Sequence, residues 1–173
     1  MKLIETNTHK ILYNLIVKTN AMRMLDRAKI PYETLEYEIE KDKFSGEAVS
    51  DLLGLEYESC YKTLGAISGH DVFLFVIPVS SQLDLKKAAK AAGVKSLEMI
   101  HVKDLKKLVG YERGSVSPIG ANRNKGIFIH EICLTQETME ISGGEFGIGL
   151  LINREKLLDF LKAKTADLTR EDV

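Results

Sequence analysis

Two stretches carry residue types that could do chemistry. The first is Cys60-Tyr61-Lys62-Thr63-Leu64, which has the period of a strand. Period two places Cys60, Lys62 and Leu64 on one face and Tyr61 and Thr63 on the other. Lysine is rarely buried without a partner. Either this face is solvated along the lysine stem, or the amine enters a polar cleft. The second stretch is Gly110-Tyr111-Glu112-Arg113-Gly114-Ser115-Val116-Ser117-Pro118-Ile119-Gly120. It has neither helical nor strand period. Its glycines open backbone conformations closed to other residues, and Pro118 pushes Ser117 towards extended geometry. Residues 114–117 can then present several N–H groups to one side, as a cradle for an anion or a polarised carbonyl oxygen. The other reading of the stretch is a structural turn between a helix and a strand.

The remaining candidates point away from metal and nucleophilic chemistry. His9, His70, His101 and His130 are scattered, without ligand spacing, so no metal is expected. No cofactor is expected. Cys60 and Cys133 are isolated, which argues against a zinc site or a disulfide framework and fits a reducing cytoplasm. No serine stands in a nucleophile-elbow setting, and Ser115 and Ser117 have no base close in sequence.

The elements that must position these residues follow from pattern. Residues 1–18 read as an N-terminal extension or an added leader, with a short helix possible around Ile11, Leu12, Leu15 and Ile16. The domain proper, 19–173, starts with Thr19 as a helix cap. Leu35, Tyr37 and Ile39 alternate with glutamates as a strand with one wet face. Ser45 and Asp84 open further helices, closed by Gly54 and Gly93. Residues 60–67 and 72–78 read as a hairpin about Gly69-His70-Asp71, and the apolar second arm should be central. A short strand is expected at 96–100 and a helix at 104–109. Strands are expected at 127–132, 138–142 and 147–152, followed by a helix through Leu157, Leu158 and Leu161. The chain beyond Leu168 reads as frayed. This is one α+β domain with a mixed sheet and helices around it. The net charge of −1 advertises no global attraction for nucleic acid, no apolar run is long enough to span a membrane, and no signal-peptide pattern opens the chain.

Taken in order, Tyr61-Lys62-Thr63-Leu64, Pro78-Val79-Ser80-Ser81-Gln82-Leu83-Asp84-Leu85-Lys86-Lys87, Gly110-Tyr111, Gly114-Ser115-Val116-Ser117-Pro118-Ile119-Gly120 and Ser142-Gly143-Gly144 resemble the YbaK/EbsC family of aminoacyl-tRNA editing proteins. The family is similar to the editing domain of bacterial prolyl-tRNA synthetase. The resemblance runs from about Thr19 to about Thr169. It implies a mixed, barrel-like sheet surrounded by helices. It also implies removal of a mischarged amino acid from tRNA, with the most similar branch acting on cysteinyl-tRNA for proline. The family's essential lysine falls on Lys62, its Gly-x-x-x-Pro loop on Gly114 to Pro118, and its Ser-Gly-Gly turn on Ser142, Gly143 and Gly144.

The resulting expectation is a free-standing deacylase, with Lys62 as the cation and the backbone of Gly114, Ser115, Val116 and Ser117 as donors to the carbonyl oxygen. Tyr37 and Phe44 are expected to wall the amino-acid end, with Tyr61, Thr63, Tyr111, Pro118 and the Ser-Gly-Gly turn as further substrate contacts. Lys86, Lys87, Lys90 and Arg123 are the expected tRNA face, unless that face is simply solvated. The resemblance implies substrate-assisted attack by the cysteinyl thiol or a ribose hydroxyl. The partners implied are mischarged tRNA and prolyl-tRNA synthetase. The alternative is a non-catalytic tRNA- or nucleotide-binding module. Two departures bear on substrate choice: Glu145 and Phe146 stand where many relatives carry a basic pair, and Gly149 stands where an aspartate is common.

Overall fold

Side-chain caps set where the helices begin. In the computed structural model, which describes residues 18–122 and 124–171, the Thr19 hydroxyl accepts the Met22 N–H at 3.2 Å and opens α1 (Asn20–Arg27). Ser45 Oγ accepts from Ala48 N at 3.0 Å at the head of α2 (Gly46–Leu53). The Asp84 carboxylate accepts from Lys86 and Lys87 N–H at 2.9 and 3.1 Å to start α3 (Leu85–Ala92). Each cap satisfies donors that the first turn leaves unpaired. Gly54, Gly93 and Gly110 close α2, α3 and α4 (Val102–Val109) in the left-handed region. Asn153 caps α5 (Arg154–Leu161). The helix and leader read within residues 1–17 lie outside the described residues, as does Arg123.

The strands are β1 (Tyr32–Glu36), β2 (Tyr61–Ser68), β3 (Asp71–Pro78), β4 (Glu98–Met99), β5 (Asn124–His130), β6 (Thr138–Ser142), β7 (Ile148–Asn153) and β8 (Lys164–Ala166). They form an antiparallel sheet in the order β1-β7-β6 and a mixed sheet in the order β4-β2-β3-β5-β8. In the mixed sheet β3, β5 and β8 run parallel. A parallel bridge between Cys60 and Glu140 joins the two sheets just ahead of β2. The class is the mixed α+β one expected.

β3 is the central element, and its continuous apolar run has a direct cause. Val72, Leu74 and Val76 face a core shared with α1, α4, β6 and β7. Phe73, Phe75 and Ile77 face a second core under α3. A strand buried on both sides needs apolar residues at every position. Each fully buried Phe, Leu or Ile contributes roughly 1.5–3 kcal/mol.

Three expectations need correction. The strand read around Leu35, Tyr37 and Ile39 ends at Glu36, because its partner β7 begins at Ile148. Beyond it only the Tyr37 N–H continues, to Gly147 O at 3.0 Å. The short strand read at 96–100 shrinks to Glu98 and Met99. The tail is not frayed at Leu168. That side chain is fully buried in the second core, its N–H donates to His130 Nδ1, and its carbonyl accepts from Asp84 N.

For function, the decisive feature is the edge of β2. β4 pairs only with Ala66 and Ile67, so the first half of β2 keeps an outer edge without a strand partner. The start of α2, α4 and the 110–120 loop close around that edge.

Candidate active site

A cavity of about 390 Å³ opens along the unpaired half of β2. Tyr61, Lys62, Thr63, Leu64 and Gly65 form one wall, and Gly114, Val116 and Arg113 of the loop form another. Tyr37, Phe44, Glu140 and Ser142 also line it, and Met99, Ile100, Val102 and Leu105 add apolar surface. Lys62 is paired in register with Ile77 and lies on the Leu64 face, partly buried. Burial lowers its amine below the ordinary lysine value, and the nearby Glu47 carboxylate partly opposes this. A lysine so placed is weakly solvated and available to an anionic or polarised oxygen.

The loop is held by its own hydrogen bonds. Gly110, Gly114 and Gly120 all have positive φ, which lets the chain reverse repeatedly within eleven residues. Ser115 N–H and Ser115 Oγ both donate to Glu112 O at 3.0 Å. Ser117 is wholly buried, and its Oγ accepts from Ile119 N at 3.2 Å. The Tyr111 hydroxyl donates to Ile119 O and straps the loop across its base. Ser115 N–H is therefore not a free donor, which corrects its expected part in the cradle. The N–H groups of Gly114 and Val116 find no partner among the described residues. Both residues line the cavity.

Glu140 sits on β6 at 5% exposure and lines the same cavity. Burial pushes its carboxyl up to about 7, and a hydrogen bond with the Cys60 thiol works the other way. The Cys60 and Cys133 thiols are themselves buried and pushed up to about 11, so they are protonated at neutral pH and poor nucleophiles. The Tyr61 hydroxyl is enclosed without a hydrogen-bond partner among the described residues.

A second cavity of about 800 Å³ adjoins the first, and the two share Phe44 and Arg113. The Phe44 and Phe146 rings lie 5.2 Å apart, Tyr37 meets Phe146 edge-on at 6.4 Å, and Lys41 Nζ stands 6.0 Å over Phe146. Lys41, Lys106 and Arg113 are matched there by Asp42, Glu112 and Glu145. The Ser142-Gly143-Gly144 turn packs its last glycine on the Tyr111 ring, where an added Cβ would come within 3.1 Å of Cε1.

The structure brings Lys62, Gly114, Val116, Tyr37, Phe44, Tyr61, Thr63 and Ser142 to one cavity. Ser115, Tyr111 and Gly144 line the adjoining one. Ser117, Pro118 and Gly143 are buried and line neither. Lys86, Lys87 and Lys90 lie on α3 and line neither cavity; Lys87 is bound at 2.8 Å to both Asp167 and Thr169 O. Sequence reasoning missed Glu140, Arg113 and the apolar surface added by Met99, Ile100, Val102 and Leu105. Period two gives Glu140 a wet face, so the pattern hides it. The glycine at 149 was the one available signal.

This fold and site define a class. Residues 40–160 match the family model described as the aminoacyl-tRNA editing domain. The chain belongs to that family. It is 36% identical over 156 residues to a protein of Enterococcus faecalis named "Putative Cys-tRNA(Pro)/Cys-tRNA(Cys) deacylase EbsC", covering 90% of this chain and 95% of that one. Among solved structures, a "putative trans-editing enzyme for prolyl tRNA synthetase" superposes with a TM-score of 0.74 at 20% identity, covering 90% of this chain and 100% of the other. A scaffold protein used to present linear epitopes superposes at 0.76 with 21% identity, covering 89% and 99%. At those identities the structures establish the shared fold.

Proposed function

We propose that residues 19–173 act as one editing domain, a free-standing deacylase. In this reading it hydrolyses the ester between an amino acid and the terminal ribose of a mischarged tRNA, with cysteine on tRNA for proline as the preferred substrate. The observation that carries the reading is that Lys62 lines one cavity with Gly114 and Val116, whose N–H groups have no partner among the described residues, in a member of the editing family. The volume suits an aminoacyl group with part of its nucleoside. The loop amides stabilise the developing oxyanion, and Lys62 neutralises charge on the ribose or phosphate side. Orientation supplies much of the remaining acceleration.

The chain's own thiols are neutral and buried, and its loop hydroxyls are committed to loop bonds. These facts favour attack by a group of the substrate, the cysteinyl thiol or a ribose hydroxyl. The protein works where translation does, in the cytoplasm, and a prolyl-tRNA synthetase supplies tRNA selectivity that this small site lacks.

The test is release of amino acid from cysteinyl-, seryl- and alanyl-tRNA by purified protein, with acid quench and mass spectrometry of the enzyme during turnover. Multiple turnovers, fastest for cysteine and without an acyl-enzyme, are expected. Stoichiometric binding without release would make the chain a binding module. An acyl-enzyme that decays at the turnover rate would overturn substrate-assisted attack.

A further inference from the structure

We propose that Glu140 is the residue that receives the α-ammonium group of the aminoacyl substrate. The inference rests on the deacylase reading and deepens it. The charged groups lining the catalytic cavity are Lys62, Arg113 and Glu140; Glu140 is the only carboxylate among the described lining residues. An aminoacyl ester brings a polarised carbonyl and a cationic amine only two bonds apart. The carbonyl has donors in the loop. The amine enters a space that already holds two cations, and without a carboxylate it would meet only repulsion and desolvation.

The protein maintains this carboxyl at a cost. Glu140 is 5% exposed and has no salt-bridge partner among the described residues; Cys60 is its backbone bridge neighbour. Buried carboxylates are ordinarily paired. The neighbouring strand is shaped to admit it: β7 carries glycine at 149, where an added Cβ would fall 2.3 Å from Glu140 Oε1. A glutamine, or an apolar residue, would fill the slot without that desolvation. A cation that arrives with the substrate gives the carboxylate its missing partner, so the interaction appears only in the complex.

This makes Glu140 a specificity residue. The site should accept an amino acid with a free amine and reject N-blocked or deaminated acyl groups. A site built around a polar contact discriminates strongly against ligands that lack it, because the buried group is then left unpaired.

The experiment measures binding and needs no turnover. A non-hydrolysable cysteinyl amide of adenosine is titrated calorimetrically against its mercaptopropanoyl counterpart, identical but for the missing α-amino group. Wild-type protein should prefer the amine-bearing ligand by about tenfold or more, as expected for a charge-assisted contact. Glu140→Gln should bind both alike, with its affinity for the deaminated ligand unchanged or improved. Should Glu140→Gln fail to fold, Glu140→Asp, which withdraws the carboxylate by one methylene, should shrink the preference without abolishing it. Equal binding by wild type, or a preference that survives in the variant, overturns the proposal while leaving the deacylase reading intact. Failure of both ligands to bind, with no hydrolysis of any aminoacyl-tRNA, overturns both.

Discussion

A Cβ built on Gly149 would lie 2.3 Å from Oε1 of Glu140, which reaches across from the adjacent strand. Side-chain atoms do not approach that closely. The glycine and the glutamate are one arrangement, in which β7 gives up a side chain so that β6 can bury a carboxyl beside the cavity. At pH 5, where the buried carboxyl is neutral, Gly149→Ala is therefore expected to force it out of its slot and to destabilise the fold by about 1–3 kcal/mol. In a Glu140→Ala background the same change should cost less than about 1 kcal/mol, since the colliding atoms are gone. Denaturant unfolding of the two single variants and the double variant measures the coupling. Additive costs would show that Gly149 serves the backbone and not Glu140.

Glu140 also sets a pH dependence of stability. Its folded pKa of about 7 lies above the ordinary carboxyl value of 4.5 because burial disfavours the charge. Between those values the folded state binds more protons than the unfolded one. Stability should therefore fall as pH rises from 4.5 to 7 and carry the full penalty above 7. A shift of that size corresponds to a penalty on the order of 3 kcal/mol. Glu140→Gln should be more stable than wild type at pH 8, with the difference closing towards pH 4. Unfolding free energies across this range check the sign. A constant difference would mean that Glu140 titrates alike in both states.

Lys62 has the same cause and the opposite charge. Burial lowers its amine below the ordinary value, so the folded state binds fewer protons than the unfolded state at alkaline pH. Its burial penalty is fully present at neutral pH and lifts as pH rises through the depressed pKa. Lys62→Met should thus match or exceed the wild-type thermal midpoint at pH 7, and that advantage should shrink as the pH becomes alkaline. Deacylation should meanwhile fall by about 10²-fold or more, as for the loss of a preorganised electrostatic group. An inactive variant that is also unfolded would assign the lysine to the fold.

What the sequence reveals of this molecule is mostly local. The caps at Thr19, Ser45 and Asp84 stood out because a hydroxyl or carboxylate bonds its own chain two or three residues on. β3 stood out because burial on both faces removes alternation. Lys62 was visible as one charge in an apolar strand. The features that stayed hidden depend on partners distant in the chain. Glu140 alternates with Met139 and Ile141 as a solvent-facing residue would, and only the bridge to Cys60 and the gap at Gly149 turn its face inward. The lysines of α3 looked like a free basic surface, yet Lys87 is held by Asp167, eighty residues away.

The tail makes the same point and yields its own test. Polar composition after Leu168 suggests fraying, but Leu168 is fully buried among Phe75, Phe128 and Leu83. The backbone of Arg170 donates to Gln82 O at 3.0 Å, and Lys87 reaches Thr169 O at 2.8 Å. Leu168→Ala should cost about 2–5 kcal/mol, the range for emptying a buried leucine site, with little effect on deacylation by the fraction that remains folded. Thermal unfolding alongside specific activity separates the two. A midpoint unchanged from wild type would show that the clasp does not hold in solution.

The loop gives the last prediction, which turns on backbone geometry. Gly114 has φ of +89°, and an added Cβ would approach Phe146 Cδ2 at 3.1 Å and Phe44 Cε1 at 3.5 Å. Ser115 has ordinary backbone, and its hydroxyl gives one hydrogen bond to Glu112 O. Gly114→Ala should strain the turn by about 1–2 kcal/mol and displace the amides of Gly114 and Val116. A displacement of about 1 Å can cost on the order of 10²-fold in rate. Ser115→Ala should cost about 1 kcal/mol of stability and leave kcat/KM within a few-fold of wild type. The opposite ranking would show that the Ser115 hydroxyl touches the substrate. Phe146→Ala then distinguishes the two causes of the Gly114→Ala defect. If the ring contact dominates, removing the ring restores much of the lost activity. If the positive φ dominates, the double variant stays as slow as Gly114→Ala alone, and the loop's function resides in its backbone conformation.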